Sequence, residues 1–140
     1  MLAGKLIICD SNIPWHHNRY SKHHLMSRLA RDNDVVFVNP QEDAIMFGRR
    51  AGWRRLWGVN HRMERPDDEA LEVFTPLSVP WRGKTRRLWP LDQRLFCRQL
   101  RSVIRRHPER DLILFIGNPW NVFLLDAFPE CRCSIYHCSD

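Results

Sequence analysis

The sequence predicts an α/β fold with one open parallel sheet and helices on both of its faces. Short, continuous apolar runs recur along the chain, and such runs are typical of strands that are buried on both faces of a parallel sheet. Amphipathic segments with helical spacing lie between these runs, so that strands and helices alternate. A chain of 140 residues is long enough for one domain.

Five apolar runs account for the predicted strands, which cover residues 5–10, 35–40, 71–78, 111–117 and 133–140. Helices are predicted between the first and second strands, the third and fourth, and the fourth and fifth. The clearest helical pattern runs from residue 88 to 107, with an apolar stripe on one side and arginines on the other. Short connections of this kind favour parallel neighbours, and we expect a Rossmann-like strand order of 3-2-1-4-5.

The strand order reverses between the first and fourth strands, and ligands of open α/β sheets bind beyond the carboxyl ends of the strands at that point. The loops at 11–20 and 117–121 flank the predicted crevice, and a basic loop at 80–87 can line it. The first loop carries Trp15, His16, Asn18 and Arg19, which suit a hydroxyl-rich or anionic ligand. A second interpretation is structural: Trp15 packs over the sheet, and its polar neighbours cap the following helix.

Residues 41–69 contain alternating arginines and tryptophans that are interrupted by glycines. Since each glycine weakens a helix, we expect a broken helix or a mobile arm here. A solvated basic insertion is one interpretation. The other is contact with an anionic membrane surface through Arg50, Trp53, Arg54 and Trp57.

The net charge of +6 comes mostly from arginine and favours an anionic partner, whether phosphate, nucleic acid or a membrane surface. Five cysteines, an odd number, suit reduced thiols better than a disulfide framework. No apolar run approaches the roughly 20 residues of a membrane span, and the first residues do not resemble a signal peptide. A cytoplasmic location is therefore expected, with peripheral attachment to the inner face of a membrane as an option.

Several chemistries lack their sequence signatures. Neither the G-x-G-x-x-G pattern of dinucleotide sites nor a P-loop is present, so a nicotinamide or P-loop nucleotide site is not predicted. The histidines at 16–17 and 23–24, and the cysteines near the end of the chain, lack the ligand spacing of zinc sites. We therefore predict no metal site and assign no catalytic residue.

Several motifs, in order, resemble the N-terminal half of a GT-B fold glycosyltransferase of the group 1, family four type, which acts in polysaccharide and teichuronic-acid-like biosynthesis. The resemblance rests on Ile13-Pro-Trp15, His24-Leu25, Arg28-Leu-Ala30, Val35-Val-Phe-Val-Asn-Pro40, Leu112-Ile-Leu-Phe-Ile-Gly-Asn-Pro-Trp120 and Ile135-Tyr-His-Cys-Ser-Asp140. It covers essentially the whole chain. His137 departs from the pattern, because an aspartate is usual there.

The resemblance implies the acceptor-binding half of an enzyme for cell-surface polysaccharide or glycolipid synthesis, which transfers a sugar from a nucleotide donor with retention and without a metal. A second half, absent from these residues, would bind the nucleotide sugar, so this half needs no cofactor and is expected to be inactive alone. Its partners would be a sugar or lipid-linked sugar acceptor, the second half and an anionic membrane. The acceptor contacts implied are Trp15, His16, Asn18, Arg19, Asn118, Trp120, His137 and Asp140.

Two other classes stay open. A stand-alone Rossmann-like module would bind a ligand through the same loops without performing chemistry. A nucleic-acid-binding protein would use the arginines within 49–55 and 101–106 on phosphates, and its affinity would fall steeply with salt.

Overall fold

The structure, a computed structural model, describes residues 2–58, 62–67 and 69–137, without the side chain of Trp57. The strands are β1 (Leu6–Asp10), β2 (Asp34–Val38), β3 (Glu42–Asp43), β4 (Met63–Glu64), β5 (Glu72–Phe74), β6 (Leu77–Ser78), β7 (Leu112–Ile116) and β8 (Cys133–Tyr136). The helices are α1 (Ser21–Leu29), α2 (Ala44–Ala51), α3 (Trp89–Ile104) and α4 (Leu124–Ala127). Short 3₁₀ segments cover Trp53–Trp57, Arg82–Lys84, Arg86–Leu88 and Pro119–Asn121.

The main sheet has six strands in the order β4-β5-β2-β1-β7-β8 and is parallel except for β4. Strand β1 lies at its centre, with Leu6 opposite Asp34 of β2 on one side and opposite Leu112 of β7 on the other. This confirms the predicted α/β class and a mostly parallel sheet, which is compatible with a Rossmann-like fold.

The strand order differs from the predicted 3-2-1-4-5 sheet of five strands. Strand β4 adds an antiparallel edge beside β5, within the segment 41–69, for which the sequence predicts no strand. The predicted strand at 71–78 is also divided, because Pro76 has no N–H with which to continue the ladder. After this proline the chain leaves the main sheet, and β6 pairs with β3 in a separate sheet of two strands.

Alternation along the strands creates a separate core on each face of the main sheet. On one face Leu6, Ile8 and Leu114 pack with Phe96 of α3 and Leu124 of α4. On the other face Ile7, Cys9 and Phe37 pack with Trp15 and with Met26 of α1. The sheet is therefore covered on both faces, as the sequence predicts.

The expected break in the helical pattern after residue 41 is confirmed. Helix α2 ends at Gly52, whose φ of +88° favours glycine, and the 3₁₀ segment Trp53–Trp57 follows. The Trp53 ring folds back on Gly48, where a Cβ atom would lie 3.0 Å from the ring. The basic segment is thus tied to α2 by a tight aromatic contact. No helix within the described ranges has the length and apolar character needed to cross a membrane.

Gln99, a buried residue of α3, joins the helix to the two sheets. Its amide donates to the Leu77 carbonyl at 2.8 Å, and its oxygen accepts from the Leu77 N–H at 2.9 Å. The same oxygen accepts from the buried guanidinium of Arg62 at 3.0 Å. Because every one of these partners is desolvated, the network fixes α3 relative to the loops at the carboxyl ends of the strands.

Candidate functional site

A cleft of about 310 Å³ opens at the carboxyl edge of the main sheet. The loop after β2, the segment before α3, the first turn of α3 and the loop after β7 form its walls. Its lining residues are Pro40, Gln41, Arg82, Gly83, Trp89, Asp92, Gln93, Asn118, Trp120, Asn121 and Phe123. The cleft lies where ligands of open α/β sheets bind.

Two tryptophans give the cleft an aromatic wall. The rings of Trp89 and Trp120 meet edge to face, with centroids 6.1 Å apart and planes at 78°. Both are unusually exposed for tryptophan, Trp89 at 41% and Trp120 at 76%. The Asn118 side chain accepts the Trp120 N–H at 3.2 Å and so shapes the turn that presents this ring. Exposed aromatic faces beside polar groups suit a ligand that has both apolar and hydroxyl-bearing sides.

Arg82 and Asp92 form the charged part of the wall. Nη1 of Arg82 donates to Oδ2 of Asp92 at 3.0 Å and to Oε1 of Gln41 at 2.5 Å. Asp92 is 3% exposed, and its other carboxylate oxygen accepts the Val79 N–H at 2.7 Å. The guanidinium is therefore held in place before any ligand arrives.

Asn121 connects the cleft to a buried carboxyl group. Its amide donates to Oδ1 of Asp10 at 2.9 Å, and Asp10 is 2% exposed, with Oδ2 lacking a partner among the described residues. Burial raises the pKa of Asp10 to about 7, against the smaller opposing effects of the bonds from Asn121 and Asn118 and of the Lys22 charge. A carboxyl group of this kind holds its proton until the pH approaches neutrality.

Lys22 is a second buried charged residue at this edge. It is 4% exposed, its Nζ donates to Oδ1 of Asn12 at 3.2 Å, and burial lowers its pKa. A Cβ atom on Gly117 would lie 2.8 Å from this Nζ and 3.0 Å from the Asp10 carbonyl oxygen. Glycine at 117 thus makes room for the lysine at the junction of β1 and β7.

The structure places two of the predicted acceptor contacts, Asn118 and Trp120, in the cleft. Trp15 does not line it: the ring is 4% exposed and packs against Phe37, with centroids 4.9 Å apart, and against His23, at 5.1 Å. This placement agrees with the interpretation in which Trp15 packs over the sheet, because its ring belongs to the core on the face that α1 covers.

The polar residues of the first loop are exposed and also lie outside the cleft lining. Nε2 of His16 is 2.8 Å from Oε1 of Glu64, and Arg19 forms an ion pair with Glu69 at 2.9 Å. Asn18 is exposed. The structure therefore does not bring these three residues together with Asn118 and Trp120.

His137 stacks on Phe115 with centroids 5.6 Å apart, and its Nδ1 is buried without a partner in the described part of the chain. Phe115 belongs to the core on the α1 face, so His137 also lies apart from the cleft lining. Asp140 lies outside the described residues.

Several lining residues are not singled out by the sequence, among them Gln41, Trp89, Asp92 and Gln93, although the predicted loop at 80–87 contains Arg82. Trp89 and Asp92 belong to the amphipathic pattern of α3, which gives no sign that its first turn faces a cleft. The available signal is the basic, turn-rich segment before α3, because the first turn itself, Trp89-Pro90-Leu91-Asp92, is mostly apolar.

The predicted membrane contacts are exposed where they are described. Arg50 forms an ion pair with Glu42, Arg54 is exposed, and Trp53 is 58% exposed. The side chain of Trp57 lies outside the described residues. Met46, 53% exposed on α2, adds an apolar group to this surface.

No cluster of three or more histidine, cysteine or acidic side chains in the described ranges is arranged to hold a metal ion. His23 is buried between aromatic rings, and its Nδ1 accepts the Tyr20 N–H at 3.1 Å at the start of α1. It serves as a helix cap.

Comparison of the chain with protein-family models, curated proteins and solved structures gave no match. The structure thus defines a class, an α/β protein with an aromatic and amide-lined cleft at the carboxyl edge of its main sheet.

Proposed function

We propose that this chain is the acceptor-binding half of a nucleotide-sugar-dependent glycosyltransferase with a GT-B architecture, acting on cell-surface polysaccharide or glycolipid. The observation that carries the proposal is the cleft in which Trp89 and Trp120 stand beside Gln41, Gln93 and Asn121. The motif resemblance supports the same function.

The chemistry of the cleft suits a sugar. Sugar rings have apolar faces, which pack on aromatic side chains, and hydroxyl rims, which exchange hydrogen bonds with amides that both donate and accept. A volume of about 310 Å³ lies at the small end of the range for ligand sites. The cleft therefore suits the terminal part of a glycan.

Transfer would require a second half that binds the nucleotide sugar and closes over the cleft. Closure would align the acceptor hydroxyl with the donor and exclude water, which would otherwise hydrolyse the donor. In this proposal the reaction proceeds with retention and without a metal, and the present half has no turnover alone.

The exposed surface formed by Met46, Trp53 and the arginines beside them is proposed to hold the protein on the inner face of an anionic membrane, where a lipid-linked acceptor would reside. Aromatic and basic side chains that are exposed together are typical of interfacial binding. Cosedimentation with phosphatidylglycerol vesicles tests this: Arg54→Glu should weaken binding, whereas Arg132→Glu, at an exposed arginine beside β8, should change it little. Equal binding by both variants would contradict the membrane proposal.

Carbohydrate binding is tested by titrating the chain with an oligosaccharide panel and following tryptophan fluorescence and heat. Trp120→Ala should weaken the best ligand by about tenfold or more, because a central aromatic contact is lost. The matched control is Tyr136→Ala, which removes a half-exposed aromatic ring outside the cleft lining. A wild-type chain that binds no member of the panel would contradict the proposal.

The transfer step has a separate test in the coding DNA downstream of codon 140. A continuing frame, or an adjacent frame, of roughly 150–250 residues with a second α/β pattern should release nucleoside diphosphate from a nucleotide sugar when it is produced with this half. The enzyme proposal fails if no such frame exists, and a ligand-binding module would then be the better description.

A further inference from the structure

The backbone around Arg82 is strained. Trp81 has φ +61° and ψ +16°, and it is the one non-glycine residue with positive φ in the described part of the chain. A left-handed conformation is unfavourable for a residue with a Cβ atom, and strain of this kind clusters at functional sites. The Trp81 ring is 62% exposed, so its own packing does little to offset the cost.

The strained turn leads directly to Arg82, which enters the cleft wall. The side-chain hydrogen bonds of Arg82 within the described residues are all donated by Nη1, to Asp92 and Gln41. Its Nε and Nη2 hydrogens are therefore left for another acceptor, and the side chain is 40% exposed. A guanidinium held at one edge and open at the other is preorganised for a two-oxygen anion.

The charges around the cleft also favour an anion. Asp92 cannot serve as a free carboxylate toward a ligand, because its oxygens already accept from Val79, Gln41 and Arg82. Lys84, Arg86 and Arg87 follow Arg82, and no acidic residue lies between positions 79 and 91. Two acidic side chains lie near this turn: Asp92, which is paired with Arg82, and Asp43, whose Oδ2 accepts the Trp81 N–H at 3.4 Å. The four basic residues within 82–87 outnumber them, so the net charge at this side of the cleft is positive.

We propose that the ligand of the cleft is an anionic sugar, whose carboxylate or phosphate pairs with Nε and Nη2 of Arg82 while its ring contacts the two tryptophans. This inference rests on the proposed carbohydrate-binding function and narrows the class of acceptor to uronic acids or sugar phosphates. The strain at Trp81 then has a role, since it sets the direction from which the guanidinium reaches the ligand.

The test compares three small probes on the 140-residue chain at low salt: methyl glucoside, methyl glucuronide and glucose 6-phosphate. At least one anionic probe should bind about tenfold or more tightly than the glucoside, as expected for charge-assisted hydrogen bonds. Preference for the glucuronide over the phosphate would assign the anion to a uronic acid, and the reverse preference would assign it to a sugar phosphate.

Three variants locate the preference. Arg82→Ala should remove the preference for the anionic probe. Arg82→Lys keeps the charge but loses the paired N–H donors of the guanidinium, so it should reduce the preference to a few-fold. The lysine variant also serves as the test if the alanine variant does not fold. Arg28→Ala, at an exposed arginine of α1 outside the cleft lining, should leave the anion preference unchanged.

Equal binding of all three probes by the wild-type chain would overturn the anionic-sugar inference while leaving carbohydrate binding intact. An anion preference that survives Arg82→Lys undiminished would overturn it as well. So would inorganic phosphate binding as tightly as glucose 6-phosphate, where glucose 6-phosphate is the preferred probe. Binding of none of the probes or oligosaccharides would instead remove the proposed function itself.

Discussion

The buried carboxyl group of Asp10 predicts a stability that falls as pH rises toward neutrality. Asp10 is 2% exposed, and Oδ1 accepts one bond from Asn121 while Oδ2 has no partner in the described ranges. The Lys22 ammonium favours the charged form, but burial opposes it more strongly and raises the pKa of Asp10 from 3.8 to about 7.

The magnitude follows from proton linkage. Between pH 3.8 and about 7 the folded chain holds the proton and the unfolded chain has released it. The free energy of unfolding should therefore fall by about 1.4 kcal/mol for each pH unit in this window, or about 4 kcal/mol in all. Because the pKa of Asp10 is raised in the folded state, its contribution to stability is fully present below pH 3.8. That contribution is lost as the pH rises through about 7.

The assay is urea unfolding of the wild-type chain and of Asp10→Asn at a series of pH values from about 4 to about 8. The asparagine cannot ionise, so the difference between the two curves isolates Asp10 from the other titrating groups. The free energy of unfolding of the wild-type chain minus that of Asp10→Asn should fall steadily up to about pH 7 and then level off.

Asp126→Asn is the matched control, because Asp126 is exposed, and its difference curve should be nearly flat. A flat curve for Asp10→Asn would refute the assignment of a raised pKa. A curve that rises with pH would show instead that the ionised carboxylate is stabilised in the folded state, with Lys22 as its evident partner.

Three further predictions concern stability and are checked by urea unfolding at fixed pH. Gly117→Ala should lower the free energy of unfolding by about 1–2 kcal/mol, because its Cβ would lie 3.0 Å from the Asp10 carbonyl oxygen, a backbone atom, as well as 2.8 Å from Nζ of Lys22. Gly83→Ala, with no atom within 4 Å, should change it by less than about 0.5 kcal/mol, and equal effects would contradict the crowding argument. His23→Ala should cost about 2–4 kcal/mol, since it removes a buried ring and the acceptor at the start of α1, and a loss below about 1 kcal/mol would count against that cap. Gln99→Leu should cost about 2–4 kcal/mol, because it leaves buried hydrogen-bonding groups without partners, and a neutral result would show that solvent replaces the amide.

The sequence predicted those features that depend on local pattern. Apolar runs identified β1, β2 and β7, and apolar residues at helical spacing identified α3, the longest helix. The order of apolar and polar residues in a buried strand or an amphipathic helix reflects which of its side chains are buried. The loop after β7, which the sequence predicts to flank a crevice, lies in the lining of the cleft, since a loop at the carboxyl end of a central strand reaches that edge.

The tertiary structure decided what depends on residues far apart in the chain. The sequence could not show that β4 would pair with β5, because a two-residue strand has no pattern of its own. Nor could it show that Trp15 would pack on Phe37 while Trp120 stayed exposed: both follow a strand and a proline, and their environments differ only through what packs against them.

The sequence by itself determined the α/β fold class and the basic charge of the chain, and it predicted a crevice at the carboxyl edge of the sheet. Only the tertiary structure decided that Trp89 and Trp120 meet, that Arg82 is held by Asp92 and Gln41, and that Asp10 is buried behind Asn121. The physical reason is that burial and side-chain geometry are set by contacts between distant segments, whereas secondary structure is encoded largely by neighbours along the chain.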